Sequence, residues 1–580
     1  MSLRSVYGAA SLGLGAIAVW LPTAWYETIP RLSGLRPLPF SGVGLLRLVC
    51  LTEAILFAIL AVRGTQYVSH RPRPVEVTGR TGARAYDLNR VPALWILGIV
   101  TIGGLWLRVH NLGLDLWLDE ISPLVDYSRL SAAQVVGSYL RSNNHLLNTL
   151  LTRLSVSAFG QSEWSVRIPA VTFGVLTIPA LYWVARLGLS RITALGAALL
   201  LACSYHHIFF SQNARGYTAY VLFALLSTGS LLRAARNDEL RYWIMYIVFA
   251  TLGMASLLLT AFVLTGHAIL AALLLLARRR SGHDSAPLLR RFAAVFLIGA
   301  LLAFQIYAAA IPEAYVTLTT VYSVPSTGFS LFSADFFNEM MRGVSAGFGS
   351  PLIALIFLLA GAAGFGALVA LSWPLATGLV LPEVLTLGVL VAGGLTLSPR
   401  FFLLSVPLAM LSAVAGLETV TGWCSRRFIA SARTIRLAWL AALVVMAAAS
   451  LKSLPYYYRT PKQPYRAALA YADKHGNGAP VVVLANGVTG FKYYLARDTV
   501  AHIASRYTFV RTVAQFDSLS KIADTADIQL LTTFRRAIRI EAPGIDRELG
   551  DHWAQDTTFG ATVGDGEITV WSKKGRFQRR

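Results

Sequence analysis

Lysine is missing from the first 451 residues: all seven lysines lie at or after Lys452, and every basic residue upstream is arginine. The chain therefore changes composition there, and it changes hydropathy at the same place. Cysteine is almost as scarce. Cys50, Cys203 and Cys424 are the only three, each within or beside an apolar stretch, which excludes a disulfide scaffold and leaves no spacing suited to zinc. Charge is low as well, at 14% of 580 residues, too little for a disordered chain. No Gly-rich phosphate loop, Ser-His-Asp arrangement or HExxH motif appears, so a nucleotide-sugar or ATP-driven reaction has no support. What the sequence has instead is apolar length. Its 55% hydrophobic residues and mean hydropathy of +0.57 describe a polytopic membrane protein.

A span needs about 20 mostly apolar residues. Thirteen stretches qualify, near 7–27, 42–62, 91–108, 165–185, 192–210, 216–232, 242–258, 262–277, 292–310, 351–372, 375–397, 401–422 and 437–452. The first reads as a signal anchor, because its apolar run is long and no A-x-A-like cleavage site follows. Assigning alternate connections to one side puts 21 basic residues on one face and 8 on the other, which makes the first face cytoplasmic. Clusters such as Arg278-Arg279-Arg280 are topology signals under that rule. The formal charge of +22 is thus spread over span ends and the tail, and nucleic acid drops out as a partner.

The fold expected is a polytopic α-helical membrane protein of about 11 core spans plus 2 N-terminal ones, with a C-terminal α/β domain. Two transmembrane helices occupy 1–62, a basic cytoplasmic linker 63–90, the main transmembrane domain 91–452, and a soluble extracytoplasmic domain 453–580. Two long loops, 109–164 and 311–350, fall outside the cytoplasm. In the tail the sequence predicts a helix after Pro464, a strand from Pro480, a helix over VTGFKYYLARD and a strand over DIQLLTTF. A hairpin TFGATV-GDG-EITVWSK follows, turning at Asp565-Gly566.

Chemistry is sought on the outer face. The first loop opens LRVHNLGLDLWLDEISPL, so Asp119 and Glu120 are adjacent carboxylates about ten residues past a span end. A helix with a Ser131–Gln134 capping box follows, its apolar residues suited to the membrane surface. A carboxylate there can serve as a general base on an alcohol or amine, or as a metal ligand; it can also simply solvate the outer end of a span. The second long loop is aromatic and nearly uncharged. Its Phe336, Phe337, Met340 and Met341 suit either a flap over a lipid-facing cavity or a plain interfacial helix.

Beyond this pair the motifs line up in order. Trp117, Asp119 and Glu120 are followed by His145 in NNHLL, by Gly160, Glu163, Arg167 and Pro169, by Ser211, Gln212, Ala214, Arg215 and Tyr217, and by Pro399, Arg400 and Pro407. Over about 91–450 this resembles the GT-C membrane glycosyltransferases, in particular glycosyltransferase family 39, with its protein O-mannosyltransferases and lipid A aminoarabinose transferase. The resemblance implies an inverting transfer of a sugar from a polyprenyl-phosphate donor to a lipid, polysaccharide or protein acceptor at the outer face of a bacterial inner membrane. It implies Asp119 as base, with Glu120 orienting the acceptor or a metal.

Arg215 and Arg400 are the candidates for the donor phosphate, since a guanidinium fork matches phosphate oxygens. Each is the sole basic residue of a short external turn, where the positive-inside rule asks for none; the alternative is snorkelling to headgroups. Tyr217, His145 and His207 are further substrate-binding candidates, and Glu163 is either one of these or an ordinary loop acid. His206-His207 can face the site or pack beside it. Three departures from the family pattern stand out: Leu-Leu-Asn after His145 in place of Pro-Pro-Leu, Asn213 in place of an acid, and Phe401 in place of tyrosine. A divalent metal is therefore left open and no cofactor is assigned. The rival readings are a secondary transporter or flippase of lipid-linked sugars, and a non-catalytic receptor with the tail as its recognition module.

Overall fold

The computed structural model describes residues 3–22, 41–63, 89–127, 130–139, 144–320, 334–348, 350–393, 397–428, 431–476, 478–484, 487–498, 505–510, 514–516, 518 and 528–574. Most of the expected linker and part of the second loop, at 64–88 and 321–333, lie outside them. The chain forms two compact units. One comprises Met1–His110, Leu130–Ala158 and Arg167–Ser453; the other comprises Asn111–Arg129, Phe159–Val166 and Leu454–Arg580.

The first unit is helical. Among the described residues nine helices are long and apolar enough to cross a membrane, including Gly42–Val62, Arg90–Val109, Tyr217–Asn237 and Ser405–Cys424. Tyr7–Trp20 and Leu240–Ser256 are shorter apolar helices. Among the described residues, every apolar stretch marked in the sequence overlaps a helix, with two differences; 23–27 and 394–396 lie outside the described residues. The stretch 192–210 is a pair, Arg191–Cys203 and Tyr205–Ser211, bent by 59°. The stretches 351–372 and 375–397 run together as Pro351–Ala392, broken at Ser372 (φ −160°, ψ 79°). Pro374 follows that break, and a proline lacks the N–H that would continue the ladder and crowds the preceding turn.

Helix Tyr217–Asn237 is the axis of this unit, 89% of its apolar window being buried. Small residues let its neighbours come close. A Cβ on Gly229 would stand 2.4 Å from the Trp183 ring. One on Gly364 would meet the Ser412 carbonyl at 2.1 Å, so the helices Pro351–Ala392 and Ser405–Phe428 pack backbone to backbone there, as membrane helices do.

The second unit holds a five-stranded sheet in the order β2-β1-β3-β5-β4. The strands are β1 (Val481–Leu484), β2 (Tyr507–Val510), β3 (Gln529–Thr532), β4 (Trp553–Phe559) and β5 (Ile568–Lys573). β1 runs parallel to β2 and β3, and β5 antiparallel to β3 and β4. Val482, Leu484, Leu530, Trp553 and Trp571 share its core. The helices after Pro464 and over Val488–Asp498 stand where the sequence predicts them; β2 and the helices Arg535–Glu541 and Pro543–His552 are additional.

The hairpin differs from expectation. β4 starts at Trp553 and ends at Phe559, because Thr562 and Val563 then donate their N–H groups to the carbonyls of Pro461 and Lys462. Asp565, at φ 59°, makes the turn. Its carboxylate accepts the N–H groups of Arg536 and Ala537, capping the helix Arg535–Glu541.

Candidate active site

In the first unit the sequence candidates gather at the turn 212–216. The turn is built tightly: Arg215 donates its N–H to Asn213 O at 2.6 Å. Asn148 Nδ2 holds Ala214 O at 3.0 Å, and Gln212 Nε2 binds the carbonyls of Arg108 and His110 at 2.9 and 2.8 Å. Arg215 is 3% exposed. His145 Nδ1 accepts the Gly216 N–H at 2.8 Å, and the Arg215 Nη2 lies 3.0 Å from His145 Nε2.

This contact has a protonation consequence. Burial, and then the charges of Arg215 and Arg400, push the His145 imidazole well below its ordinary value, so it is neutral. With Nδ1 accepting, its one proton sits on Nε2. That N–H therefore points at another donor, and the pair is best satisfied by an anionic oxygen shared between them. The Tyr217 ring meets His145 edge-on at 5.3 Å and lies 5.7 Å from the Arg215 guanidinium carbon. Arg400 sits half-buried in the 3-10 turn Pro399–Phe402. His145, Arg215 and Tyr217 thus form one cluster, and the Arg400 charge acts on its imidazole.

His207 is held elsewhere, by a residue that sequence reasoning passed over. Arg108, fully buried in the last turn of Arg90–Val109, donates from Nε to Ser211 Oγ, from Nη1 to the carbonyls of Gly104 and Ala202, and from Nη2 to Leu201 O. Its Nη2 also lies 2.9 Å from His207 Nδ1. A guanidinium has five N–H groups, and all five are used. Two of them reach the Leu201 and Ala202 carbonyls at the end of helix Arg191–Cys203, where the pair bends, and Leu201 O also accepts the Ser204 N–H. His206 packs instead, with its Nε2 2.8 Å from Gly343 O.

The acidic candidates lie in the second unit. Helix Leu118–Tyr127 starts at Trp117, whose N–H donates to Glu120 Oε2 at 3.2 Å. Glu120 Oε1 is 3.6 Å from Lys462 Nζ, with side chains 0% and 4% exposed. Asp119, its neighbour, is half-buried. Glu163 sits in a clamp of two arginines, Arg466 Nη2 at 2.5 Å and Arg497 Nη1 at 2.9 Å on Oε1, with Arg497 Nη2 at 3.2 Å on Oε2. Arg466 also binds Asp115 and Asp498 and lies over the Tyr494 ring at 4.7 Å. Burial, only partly offset by Arg466, raises the Asp115 carboxyl above its ordinary range.

Among the described residues no group of three or more His, Cys, Asp or Glu side chains is placed to hold a metal ion. Residues 146–306 match the family model described as dolichyl-phosphate-mannose-protein mannosyltransferase. Over that segment the chain is similar to the GT-C glycosyltransferases. The GT-C-like segment carries Glu163, His207, Arg215 and Tyr217, while Asp119, Glu120, His145 and Arg400 lie outside it.

Similar solved structures include ArnT from Cupriavidus metallidurans bound to undecaprenyl phosphate, 12% identical, covering 83% of this chain and 98% of that one at a TM-score of 0.45. Another is the Archaeoglobus fulgidus oligosaccharyltransferase AglB with an inhibitory peptide and a dolichol-phosphate, 11% identical, covering 80% and 72% at 0.48. A third is the mycobacterial arabinofuranosyltransferase AftD, 17% identical, covering 84% and 42% at 0.40. No curated protein sequence matches the chain.

Proposed function

We propose that this protein is an inverting glycosyltransferase. It moves a sugar from a polyprenyl-phosphate carrier to a hydroxyl or amino group of a lipid, polysaccharide or protein acceptor at the outer face of the bacterial inner membrane. The observation that carries this reading is the meeting of two donors, His145 Nε2–H and Arg215 Nη2, at 3.0 Å within electrostatic reach of Arg400. Such a cluster suits a lipid phosphate, and the description of the family model matching 146–306 names a dolichyl-phosphate sugar as donor.

In this reading the Asp119 carboxylate takes the proton of the acceptor as the acceptor's oxygen or nitrogen attacks the anomeric carbon. The bond from that carbon to the phosphate oxygen breaks, and the electron pair leaves on the carrier phosphate. Arg215 and Arg400 meet the growing charge, and the His145 Nε2–H donates to a phosphate oxygen. Tyr217 holds the ring of His145 and the guanidinium in place. Glu120 enters as a group of the carboxylate loop, and Glu163 as an anchor between Arg466 and Arg497. His207 stands apart from this cluster, against the Arg108 guanidinium at the helix bend. The C-terminal domain then lies outside the cytoplasm with the loop that carries Asp119.

The test is donor binding. Arg215→Ala and Arg400→Ala, in purified full-length protein in detergent, are each expected to weaken undecaprenyl phosphate binding at least tenfold. Unchanged affinity in both would assign these arginines to lipid headgroups and remove the phosphate site. A transporter would need ionisable side chains at its span midpoints and an inverted repeat; the spans carry few such side chains, Glu53, Glu383 and Glu418 being exceptions, and no internal repeat is evident.

A further inference from the structure

The positions around Asp119 are held from the far end of the chain, more than 300 residues away. Asp115 accepts the backbone N–H of Arg466 at Oδ2 and its Nη1 at Oδ1, both at 2.9 Å. The Leu116 N–H donates to the Tyr494 hydroxyl at 2.7 Å. The Leu118 N–H donates to Gln463 Oε1 at 2.7 Å, and Gln463 is itself fixed by Thr533 and the Tyr465 hydroxyl. Glu120 faces Lys462. Residues 115, 116, 118 and 120 are thus all tied to the tail, and Asp119 sits among them.

The chemistry of these ties separates the two adjacent acids. Both Glu120 oxygens are engaged inside the protein, one by the Trp117 N–H and one by the Lys462 ammonium, in a place closed to solvent. A carboxylate so placed orders a loop, and it is poorly placed to accept a substrate proton. Arg466 joins three acids from separate segments, Asp115, Glu163 and Asp498, so the stretches 111–129 and 159–166 are pinned by one guanidinium. Gly490 allows this packing, since a Cβ there would stand 2.1 Å from the Tyr465 ring.

We propose that the C-terminal domain is the positioning device of the carboxylate loop, with Lys462, Gln463 and Arg466 as positioning residues and Glu120 as their counterpart in the loop. The tail is then a part of the transfer machinery and not a separate recognition module. This rests on the assignment of Asp119 as base. Removing one member of the buried Glu120–Lys462 pair leaves a buried charge without its partner, whereas removing both leaves two neutral groups of similar shape.

The test compares Lys462→Met, Glu120→Gln and the double variant in the full chain. It reads transfer turnover, undecaprenyl phosphate affinity, and hydrogen exchange of peptides spanning 111–129. Each single variant is expected to lose at least about 30-fold in turnover, with donor affinity within about twofold and faster exchange of the loop. The double variant is expected to regain most of the turnover and the protection. A double variant as inactive as Glu120→Gln would show that Glu120 reacts directly and overturn the proposal. So would Lys462→Met with full turnover and unchanged exchange.

Asp115→Asn probes the same device without disturbing the buried pair. It is expected to lower turnover and speed exchange at Leu116 and Leu118, and no change in either would also overturn the proposal. Asp119→Asn in the same assay keeps the two ideas apart. If that variant still turns over, the base assignment falls, while loop exchange in the Lys462 and Glu120 variants still decides the positioning.

Discussion

Gly216→Ala perturbs the His145–Arg215 cluster with one methyl group. Gly216 precedes helix Tyr217–Asn237 at φ −74°, a conformation open to any residue, so the constraint there is space. A Cβ would stand 2.2 Å from the Ser256 carbonyl oxygen and 3.1 Å from His145 Nδ1. An ordinary contact lies at about 3.5 Å. Ser256 is fixed in the last turn of helix Leu240–Ser256, so the Gly216 backbone has to withdraw, and its N–H leaves His145 Nδ1.

Overpacking of this kind costs about 1–3 kcal/mol, and an orphaned buried acceptor about 1–3 kcal/mol more. With Nδ1 released, the imidazole proton is no longer confined to Nε2. If about 2 kcal/mol of this falls on the bound state, undecaprenyl phosphate binds roughly 30-fold more weakly, measurable by calorimetry on the full chain in detergent. Gly98→Ala is the control, since nothing lies within 4 Å of a Cβ there; it is expected to leave affinity unchanged. Wild-type affinity in Gly216→Ala would refute the account of His145.

Arg108→Met is expected to lower the thermal stability of the protein by about 1–3 kcal/mol, because the Ala202 and Leu201 carbonyls at the bend lose the guanidinium. Arg108→Lys recovers only part, since an ammonium has three donors where the site uses five; full stability in both variants would contradict the carbonyl-cage reading. His145 supplies a pH test. Its value in the folded protein lies below the ordinary 6.5, so below that pH the unfolded chain binds more protons. The stability present above about pH 6.5 is therefore lost as pH falls through the depressed folded value. Thermal midpoints recorded from about pH 7 down to pH 5 should fall in the wild type and fall less in His145→Gln; equal slopes would contradict the assignment.

The helical part was legible because apolar runs of span length are a strong signal and survive without tertiary information. The bend between Arg191–Cys203 and Tyr205–Ser211 was not, since it depends on Arg108 reaching carbonyls from another helix. A hint was present: Arg108 closes a span on the arginine-poor side, where the positive-inside rule does not ask for it. In the tail, β1, β3 and the Asp565 turn carry local signals. β2 is only four residues long, with two of them buried, and among the described residues it pairs with β1 alone.

The site candidates were legible as residue types in order, Asp119-Glu120 and the two isolated arginines above all. Their division of labour was not. Lys462 and Arg466 look like ordinary tail cations, and only the folded chain brings them to Glu120, Asp115 and Glu163.

Under the proposal, sugar leaves a lipid phosphate with Asp119 acting as the base. The most direct measurement of this step is single-turnover transfer by Asp119→Asn in reconstituted protein supplied with a polyprenyl-phosphate sugar and acceptor membranes, alongside donor affinity for the same preparation. Turnover is expected to fall by at least about a thousandfold, in the range lost when a general base is removed, with donor affinity unchanged. Turnover within a few-fold of wild type would contradict it.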